Sequence, residues 1–200
     1  MGAVSATSLN LTEAELASSE VKNYTEAHNK LPGYVDISDK NSTTPSYLNT
    51  ATKFTVELNQ GVSTPVNIAT VGNPTGPSGS ATGTVYKTEY VDIANRVSNF
   101  INNNGVAPNY ASSSIGNIRY ESLVYMYSKI VNYYYLNGQL PSSVTVSNVV
   151  GVDSTGVVID NLPPSVSNNL APGSYNSPQS VTLTASDNRD ANPWVYYSLN

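Results

Sequence analysis

The sequence contains no cysteine, and it has a single histidine, His28. Without cysteine there can be no disulfide framework, no thiol nucleophile and no thiolate metal site. A zinc site built on His28 would need carboxylates to complete it, and none is suitably spaced nearby. We therefore expect neither a metal nor any other cofactor.

Charged residues are also scarce. They make up 12% of the chain, against roughly 25% in typical soluble domains, and the net charge is −5. The nine lysines and arginines are scattered, which argues against a nucleic-acid partner. No apolar run approaches the roughly 20 residues that a membrane-spanning helix needs. Among the aromatic residues, 15 tyrosines stand against two phenylalanines, a profile typical of extracellular and wall-associated proteins.

The most strongly periodic stretch runs from Arg119 to Pro141. Its apolar residues follow the i, i+3, i+4, i+7 spacing of one helical face: Tyr120, Leu123, Val124, Tyr127, Ile130, Val131 and Tyr134. Asn137-Gly138 can end a helix in the left-handed conformation, and Pro141 blocks its continuation. The pattern predicts a helix from about Arg119 to Leu136.

The opposite side of this helix carries Tyr125, Lys129 and Asn132. We interpret this side as a solvent-exposed face suited to sugars and peptides, because tyrosine offers a flat apolar ring and a hydroxyl together. The alternative is that tyrosine merely replaces phenylalanine on a wet surface.

Three further helices follow from similar patterns. Thr12 and Glu15 have the spacing of a capping box, which predicts a helix from there to about Asn29. A second helix is expected from Ser46 to Leu58, and a third from Thr88 or Glu89 to Asn104. Residues 72–84 are rich in Gly, Pro and Ser and read as a linker.

The two halves of this region repeat at a constant offset of 76 residues, which we call the long offset. It aligns Val21-Lys22-Asn23-Tyr24 with Val97-Ser98-Asn99-Phe100, and Tyr34 with Tyr110. We interpret this as two units, each a helix–turn–helix followed by an extended arm, joined by a flexible linker. Such an arrangement would give avidity for a repetitive ligand. The alternative is a single helical domain formed by duplication.

The character of the chain changes near Gly151. Val181–Ala185 alternates apolar and polar residues, and Trp194–Tyr197 is rich in β-branched and aromatic side chains, so that both are predicted as strands. We expect the sequence to stop inside this small β-domain, because about 40 residues bury little core.

Two motifs bring a known family into view. The pattern A-x-x-V-x-x-F-I-x-x-N-x-x-x-P-x-Y spans Ala94 to Tyr110, and Y-x-S-L-V-Y-M-Y-S-x-I-x-x-Y-Y-x-x-N-G-x-L-P-x-x-V-x-V spans Tyr120 to Val146. Both resemble the pseudomurein-binding repeat, and Glu20 to Ile37 resembles a more diverged copy. The tail, with its Gly-x-Tyr and Val-Thr-Leu elements, is similar to the chitobiase C-terminal-like β-sandwich.

The resemblance implies a multidomain protein with a fixed order of parts. Two small, mainly α-helical repeat units would occupy residues 11–70 and 88–148, with a Gly/Pro/Ser linker at 71–87. A linker and a partial all-β sandwich would occupy residues 149–200. The family implies a non-catalytic anchor that holds extracellular proteins on the pseudomurein cell wall of methanogenic archaea.

The candidate ligand residues come from physical reasoning and not from the family. They are Tyr125, Lys129 and Asn132 on the helix, Asn109 and Tyr110 at the turn, and Tyr34 as the first-half counterpart of Tyr110. Tyrosine rings would stack on sugar faces and Lys129 would meet carboxylates, although Tyr34 and Tyr110 could equally serve turn packing. The expected partner is pseudomurein, through its glycan and its peptide cross-bridge.

Two other functions compete with wall binding. The repeats of a structural or adhesive surface protein would instead self-associate with other copies. A serine hydrolase would need His28 as its base, and this residue lies in a polar helix end without a distinctive serine context. The scattered carboxylates likewise show no glycosidase pairing. We therefore expect no enzymatic activity.

Overall fold

The computed structural model describes residues 8–37, 40–159 and 165–186. The chain divides into two units, Met1–Ile159 and Asp160–Asn200. The first unit contains, in chain order, the following elements: β1 (Ser8–Leu9), α1 (Leu11–His28), β2 (Tyr34–Ile37), β3 (Lys40–Thr43), α2 (Thr44–Asn59), β4 (Val66–Asn67), β5 (Gly83–Tyr86), α3 (Lys87–Asn104), β6 (Tyr110–Ser113), β7 (Gly116–Arg119), α4 (Tyr120–Asn137), β8 (Ser143–Val146) and β9 (Val157–Ile159).

The four helices agree with the sequence patterns, with one error at the start of α1. The helix α4 ends where Gly138 takes a positive φ of 67°, as predicted. The capping box of α1, however, uses Asn10 and Glu13 and not Thr12 and Glu15. The Glu13 amide donates to Asn10 Oδ1 at 2.9 Å, and the Asn10 amide donates to Glu13 Oε2 at 3.0 Å. Glu15 is buried, and burial raises the pKa of its carboxyl.

The segments between the helices are not simple turns, and this corrects the mainly helical prediction. Antiparallel hairpins join the helices of each half: β2 with β3, and β6 with β7. The extended arms also pair, β1 with β4 and β5 with β8, so that Leu9 lies opposite Val66 and Val85 opposite Val144. The described part of the first unit is therefore a mixed α/β structure of four helices and small sheets.

The elements keep the long offset seen in the sequence. At this offset α1 corresponds to α3, α2 corresponds to α4, and the hairpin β2–β3 corresponds to the hairpin β6–β7. We call the elements from β1 to β4 the first half and those from β5 to β8 the second half. The helices pack mainly across these halves: α1 lies against α4, and α2 lies against α3 and α4, whereas α1 and α2 touch only briefly.

The segment between the halves is held in place, which corrects the expectation of a flexible linker. The Gly72 amide donates to the Gly105 carbonyl at 2.8 Å, and the Ala107 amide donates to the Gly72 carbonyl at 2.9 Å. The chain after β8 does the same on the other half, where Leu31 pairs with Gly151 and Asp153. Each half thus fastens the turn after the first helix of the other. The boundaries of the two repeat units stay a prediction.

The core centres on α4, whose predicted apolar stripe is buried from Tyr120 to Val131. Two of the tyrosines in this core donate their hydroxyls to backbone carbonyls. The Tyr90 hydroxyl donates to the Pro141 carbonyl at 2.6 Å, and the Tyr127 hydroxyl donates to the Tyr90 carbonyl at 2.8 Å. Burial raises the pKa of both phenols.

In the second unit the described residues form one antiparallel pair, β10 (Ser165–Asn168) with β11 (Leu183–Ser186). The strand predicted at Val181–Ala185 is thus present with shifted bounds, and its residues are mostly exposed. The strand predicted at Trp194–Tyr197 lies outside the described residues. The β-sandwich expected here is therefore not confirmed.

We predict that Tyr90→Phe lowers the free energy of unfolding by about 1–3 kcal/mol, because the Pro141 carbonyl loses its donor in a buried place. Urea unfolding followed by circular dichroism measures the change. Tyr135→Phe serves as the control, since that side chain is 48% exposed and should change stability by less than about 0.5 kcal/mol. Equal effects of the two substitutions would contradict the role of the Tyr90 bond.

We also predict that the halves do not fold separately. Residues 1–78 and 79–159, produced as two peptides, should each lack a cooperative thermal transition, because α1 and α2 bury their apolar faces on the helices of the other half. Mixing the two peptides should restore helical content and a single transition. A cooperative transition in either peptide alone would refute this dependence.

Candidate functional site

The predicted ligand face of α4 is not an open surface. Asn132 is 7% exposed and buried against the fold. Tyr125 is partly buried, and its hydroxyl donates to Glu26 Oε1 of α1 at 3.1 Å. Asn132 is therefore buried, contrary to the prediction of a solvent-exposed face, whereas Tyr125 and Lys129 are only partly buried beside Glu26 of α1. Sequence periodicity identifies the faces of a helix but not the number of neighbours that it has.

The charges at this junction are matched to each other. The Lys129 ammonium lies 4.3 Å from the centre of the Tyr125 ring and donates to the Thr145 carbonyl of β8. Burial lowers the pKa of Lys129 and, with Glu26 as hydrogen-bond acceptor, raises the pKa of Tyr125 to about 12. The hydrogen bond from Lys22 lowers the pKa of Glu26. These groups therefore join α1, α4 and β8.

A second cation, in α3, makes the same bond as Lys129. Arg96 Nη2 donates to the Ser112 carbonyl of β6 at 2.9 Å, and Arg96 Nε lies 2.8 Å from Asp92 Oδ2. Lys129 follows Arg96 by 33 residues, and the acceptor Thr145 follows the acceptor Ser112 by the same 33 residues. We call this distance along the sequence the short offset. In both places a basic side chain on a helix donates to a carbonyl of the strand that follows this helix in the chain.

Two of the predicted residues meet at a groove between α3 and β6. This α3–β6 groove has a volume of about 360 Å³ and is lined by Arg96, Val97, Phe100, Pro108, Asn109, Tyr110, Ala111 and Ser112. The rings of Phe100 and Tyr110 are 41% and 43% exposed along it. Two aromatic rings and a guanidinium can therefore meet a ligand from one side.

Asn109 shapes this groove through its own contacts. Its Oδ1 accepts a hydrogen bond from the Gly76 amide at 2.8 Å, and its Nδ2 donates to Thr75 Oγ1 at 3.4 Å. Its backbone carbonyl accepts from the amides of Ser78 and Tyr120. The side chain predicted to bind ligand thus fixes the segment that enters the second half.

Tyr34 lies elsewhere, at a larger cleft of about 460 Å³. This cleft is lined by residues of both halves: Gly33, Tyr34, Thr44, Pro45, Asn73, Pro74, Pro77, Tyr120, Glu121, Val152, Asp153 and Ser154. Its buried charge is already paired, since Arg119 Nε lies 2.8 Å from Glu121 Oε2, and the Gly151 amide donates to Glu121 Oε1 at 3.2 Å. The Tyr120 hydroxyl is buried without a partner among the described residues, and burial raises its pKa.

Asp153, at the edge of the same cleft, holds the chain that leaves the second half. Tyr24 donates to Asp153 Oδ2 at 3.0 Å, and Lys30 Nζ lies 3.4 Å from Asp153 Oδ1. The hydrogen bond from Tyr24 lowers the pKa of this carboxyl, with the charge of Lys30 adding to it. The structure therefore places Tyr34 in a different cavity from Asn109 and Tyr110.

Within the described ranges, no cluster of histidine and carboxylate side chains could hold a metal ion. None of the helices described is both long and apolar enough to cross a membrane.

Sequence reasoning missed Arg96 and Phe100 as groove residues, although a signal for them was present. The short offset relates Arg96 to Lys129 and Phe100 to Tyr133, and it also relates the helix-ending Gly105 to Gly138. The long offset, which relates the halves, concealed it. A repeat at the short offset contains one helix and the strand that follows it.

Comparison with curated proteins finds no match. Comparison with family models finds the pseudomurein-binding repeat twice, at residues 81–113 and 114–146. The first match covers β5, α3 and β6, and the second covers β7, α4 and β8. The matched repeat is thus shorter than the helix–turn–helix unit expected, and neither match falls on the copy expected at residues 11–70. The second half of the fold therefore carries two matches to the pseudomurein-binding repeat.

Proposed function

We propose that this chain is a non-catalytic cell-wall-binding module that anchors an extracellular protein to the pseudomurein wall of an archaeon. The observation that carries the proposal is the double match to the pseudomurein-binding repeat over residues 81–146. The low share of charged residues and the abundance of tyrosine support a surface that meets wall polymer.

The α3–β6 groove is the best candidate for the contact with the wall. Every residue that lines it lies within the first repeat match. The exposed rings of Tyr110 and Phe100 offer flat apolar surface, and the guanidinium of Arg96 offers donors for carboxylate or carbonyl oxygens. Tyr125, Lys129 and Asn132 stay predicted contacts on α4, where Tyr125 also binds Glu26 of α1 and Lys129 also binds the Thr145 carbonyl of β8. Tyr34 stays a prediction, at the cleft between the halves.

A structural or adhesive protein whose copies self-associate is the second candidate. The hairpin β6–β7 favours it, because neither strand pairs with a third strand among the described residues. An open strand edge is a template for pairing with another chain.

We predict that Tyr110→Ala weakens the binding of this chain to purified pseudomurein sacculi at least about tenfold, because a buried aromatic contact of about 1.4 kcal/mol would be lost. Tyr135→Ala is the matched control, since Tyr135 has a similar exposure of 48% against 43% and lies outside the groove. A sedimentation assay with sacculi measures both, with murein sacculi as the specificity control. Retention on neither wall, or equal retention on both, would refute the wall-binding function.

The self-association alternative is separated by sedimentation velocity without wall material. For a wall-binding module we expect a concentration-independent sedimentation coefficient from about 1 to about 100 μM, since self-association depends on concentration by mass action. A shift to larger species that salt does not reverse, together with no retention on sacculi, would favour the adhesive function. Selective retention that is unchanged by Tyr110→Ala would keep the function and discard the groove.

A further inference from the structure

The two halves contain equivalent grooves, and only one of them is filled by a described strand. In the first half, β9 lies against α1 and β2 and extends the hairpin β2–β3 to three strands. It runs parallel to β2, with Val35 opposite Val157 and Ile37 opposite Ile159. The equivalent place in the second half is the α3–β6 groove, where β6 pairs only with β7 among the described strands.

The two aromatic rings beside the strand in the filled groove have aromatic counterparts in the empty one, and of these Phe100 lacks the hydroxyl with which Tyr24 binds Asp153 and Thr155. Tyr24 donates to Asp153 Oδ2 and forms a 2.7 Å hydrogen bond with Thr155 Oγ1. The Tyr34 ring lies directly on the backbone of Gly156, since an ideal Cβ there would fall 2.3 Å from Tyr34 Cε2. At the long offset, Tyr24 corresponds to Phe100 and Tyr34 to Tyr110, the two exposed rings of the groove.

The chain that enters the second half does not fill its groove. The amide of Ser78 donates to the Asn109 carbonyl, which also accepts from Tyr120, and the amide of Ala81 donates to the Asn117 carbonyl of β7. This segment therefore passes along the β7 side of the hairpin and leaves the outer edge of β6 unpaired among the described strands.

The outer edge of β6 has a backbone carbonyl, that of Ser112, which can accept a hydrogen bond from outside the hairpin. The Ser112 carbonyl points away from β7, because it accepts the hydrogen bond from Arg96 across the groove. In the filled groove the residue at the position of Arg96 is Glu20, which cannot donate such a bond, and β9 takes that edge instead. Arg96 thus stands in for the amide of a missing strand.

We infer that the α3–β6 groove binds an extended peptide, which adds to the sheet as a strand parallel to β6. The inference rests on the proposed function, since it takes this groove as the wall contact and assigns it to the peptide part of the wall and not to the glycan. Main-chain hydrogen bonds would supply affinity, and the rings of Phe100 and Tyr110 would favour a small residue between them, as Tyr34 does with Gly156. The slot begins at Tyr110, because Asn109 occupies the position that Gly33 leaves open for β9.

A second copy of the chain is a less suitable occupant. Its own β9 already lies in a groove, with Val157 buried, and would have to leave that place first. A strand from another polypeptide needs no such exchange.

The test uses a synthetic peptide with the sequence of residues 151–159, Gly-Val-Asp-Ser-Thr-Gly-Val-Val-Ile, titrated into the full chain and followed by amide NMR shifts. We expect saturable shifts on β6 and on α3 near Arg96 and Phe100. The Phe100→Ala/Tyr110→Ala protein should bind at least about tenfold more weakly, and Tyr135→Ala should bind as the unchanged protein does. Absence of saturable shifts, or shifts confined to α1 and β2, would overturn the inference.

Two further arms separate strand pairing from side-chain contact. Alternate amides of a parallel strand face its partner, so methylation of the peptide nitrogen at Val157 or at Val158 should abolish binding in one case and spare it in the other. An equal response to both methylations would contradict strand addition.

The failure of this inference is distinguishable from the failure of the proposed function. If Tyr110→Ala reduces retention on sacculi, and peptide-free wall glycan but not the synthetic peptide shifts the β6 resonances, the wall function stands and the peptide inference falls. If neither sacculi nor the synthetic peptide binds, both are refuted.

Discussion

The packing of α1 against α4, across the two halves of the chain, is the contact on which the first unit depends. The helices α1 and α2 share a half but touch only briefly, so each must cover its apolar face with helices of the other half. The reciprocal bonds of Gly72 and Gly151 to the turns of the opposite half follow the same logic. The described residues up to Ile159 therefore form one compact unit in which the two halves are packed together.

This interlocking explains which predictions succeeded. The bounds of the helices depend on local signals, such as the apolar spacing in α4 and the left-handed Gly138, and these were predicted within about two residues. The partners of the helices depend on contacts between distant residues, for which a single sequence carries no direct signal. The apolar side of α4 was predicted correctly because its spacing is a local signal. The burial of Asn132 on the other side depends on distant contacts and was not predicted. Residues such as Tyr125 and Lys129 fit a wet surface and a helix junction equally well, because their rings and stems are apolar and their ends are polar.

The candidate site was predictable only in part. Tyr110 was identified from its place at a turn, and its exposure supports that choice. Its neighbours Arg96 and Phe100 were missed, because an apolar ring such as that of Phe100 is expected on the buried stripe of its helix, whereas this ring is 41% exposed beside β6. The short offset, which the family matches follow, is the pattern that connects each helix to the strand after it. The alignment of Tyr24 with Phe100 follows from the sequence, but the contact of Tyr24 with the chain that leaves the second half is visible only in the structure.

The position of β9 has a mechanical consequence. The first unit ends at Ile159, the last residue of this strand, so tension on the chain beyond it acts first on the contacts of β9 with β2 and α1. Rupture under load would begin by removing β9 from its place beside Tyr34 and Val35, while the four helices stay packed. Removal of the strand would then absorb mechanical work before the packing of the helices is disrupted, so that the α3–β6 groove keeps its shape under load.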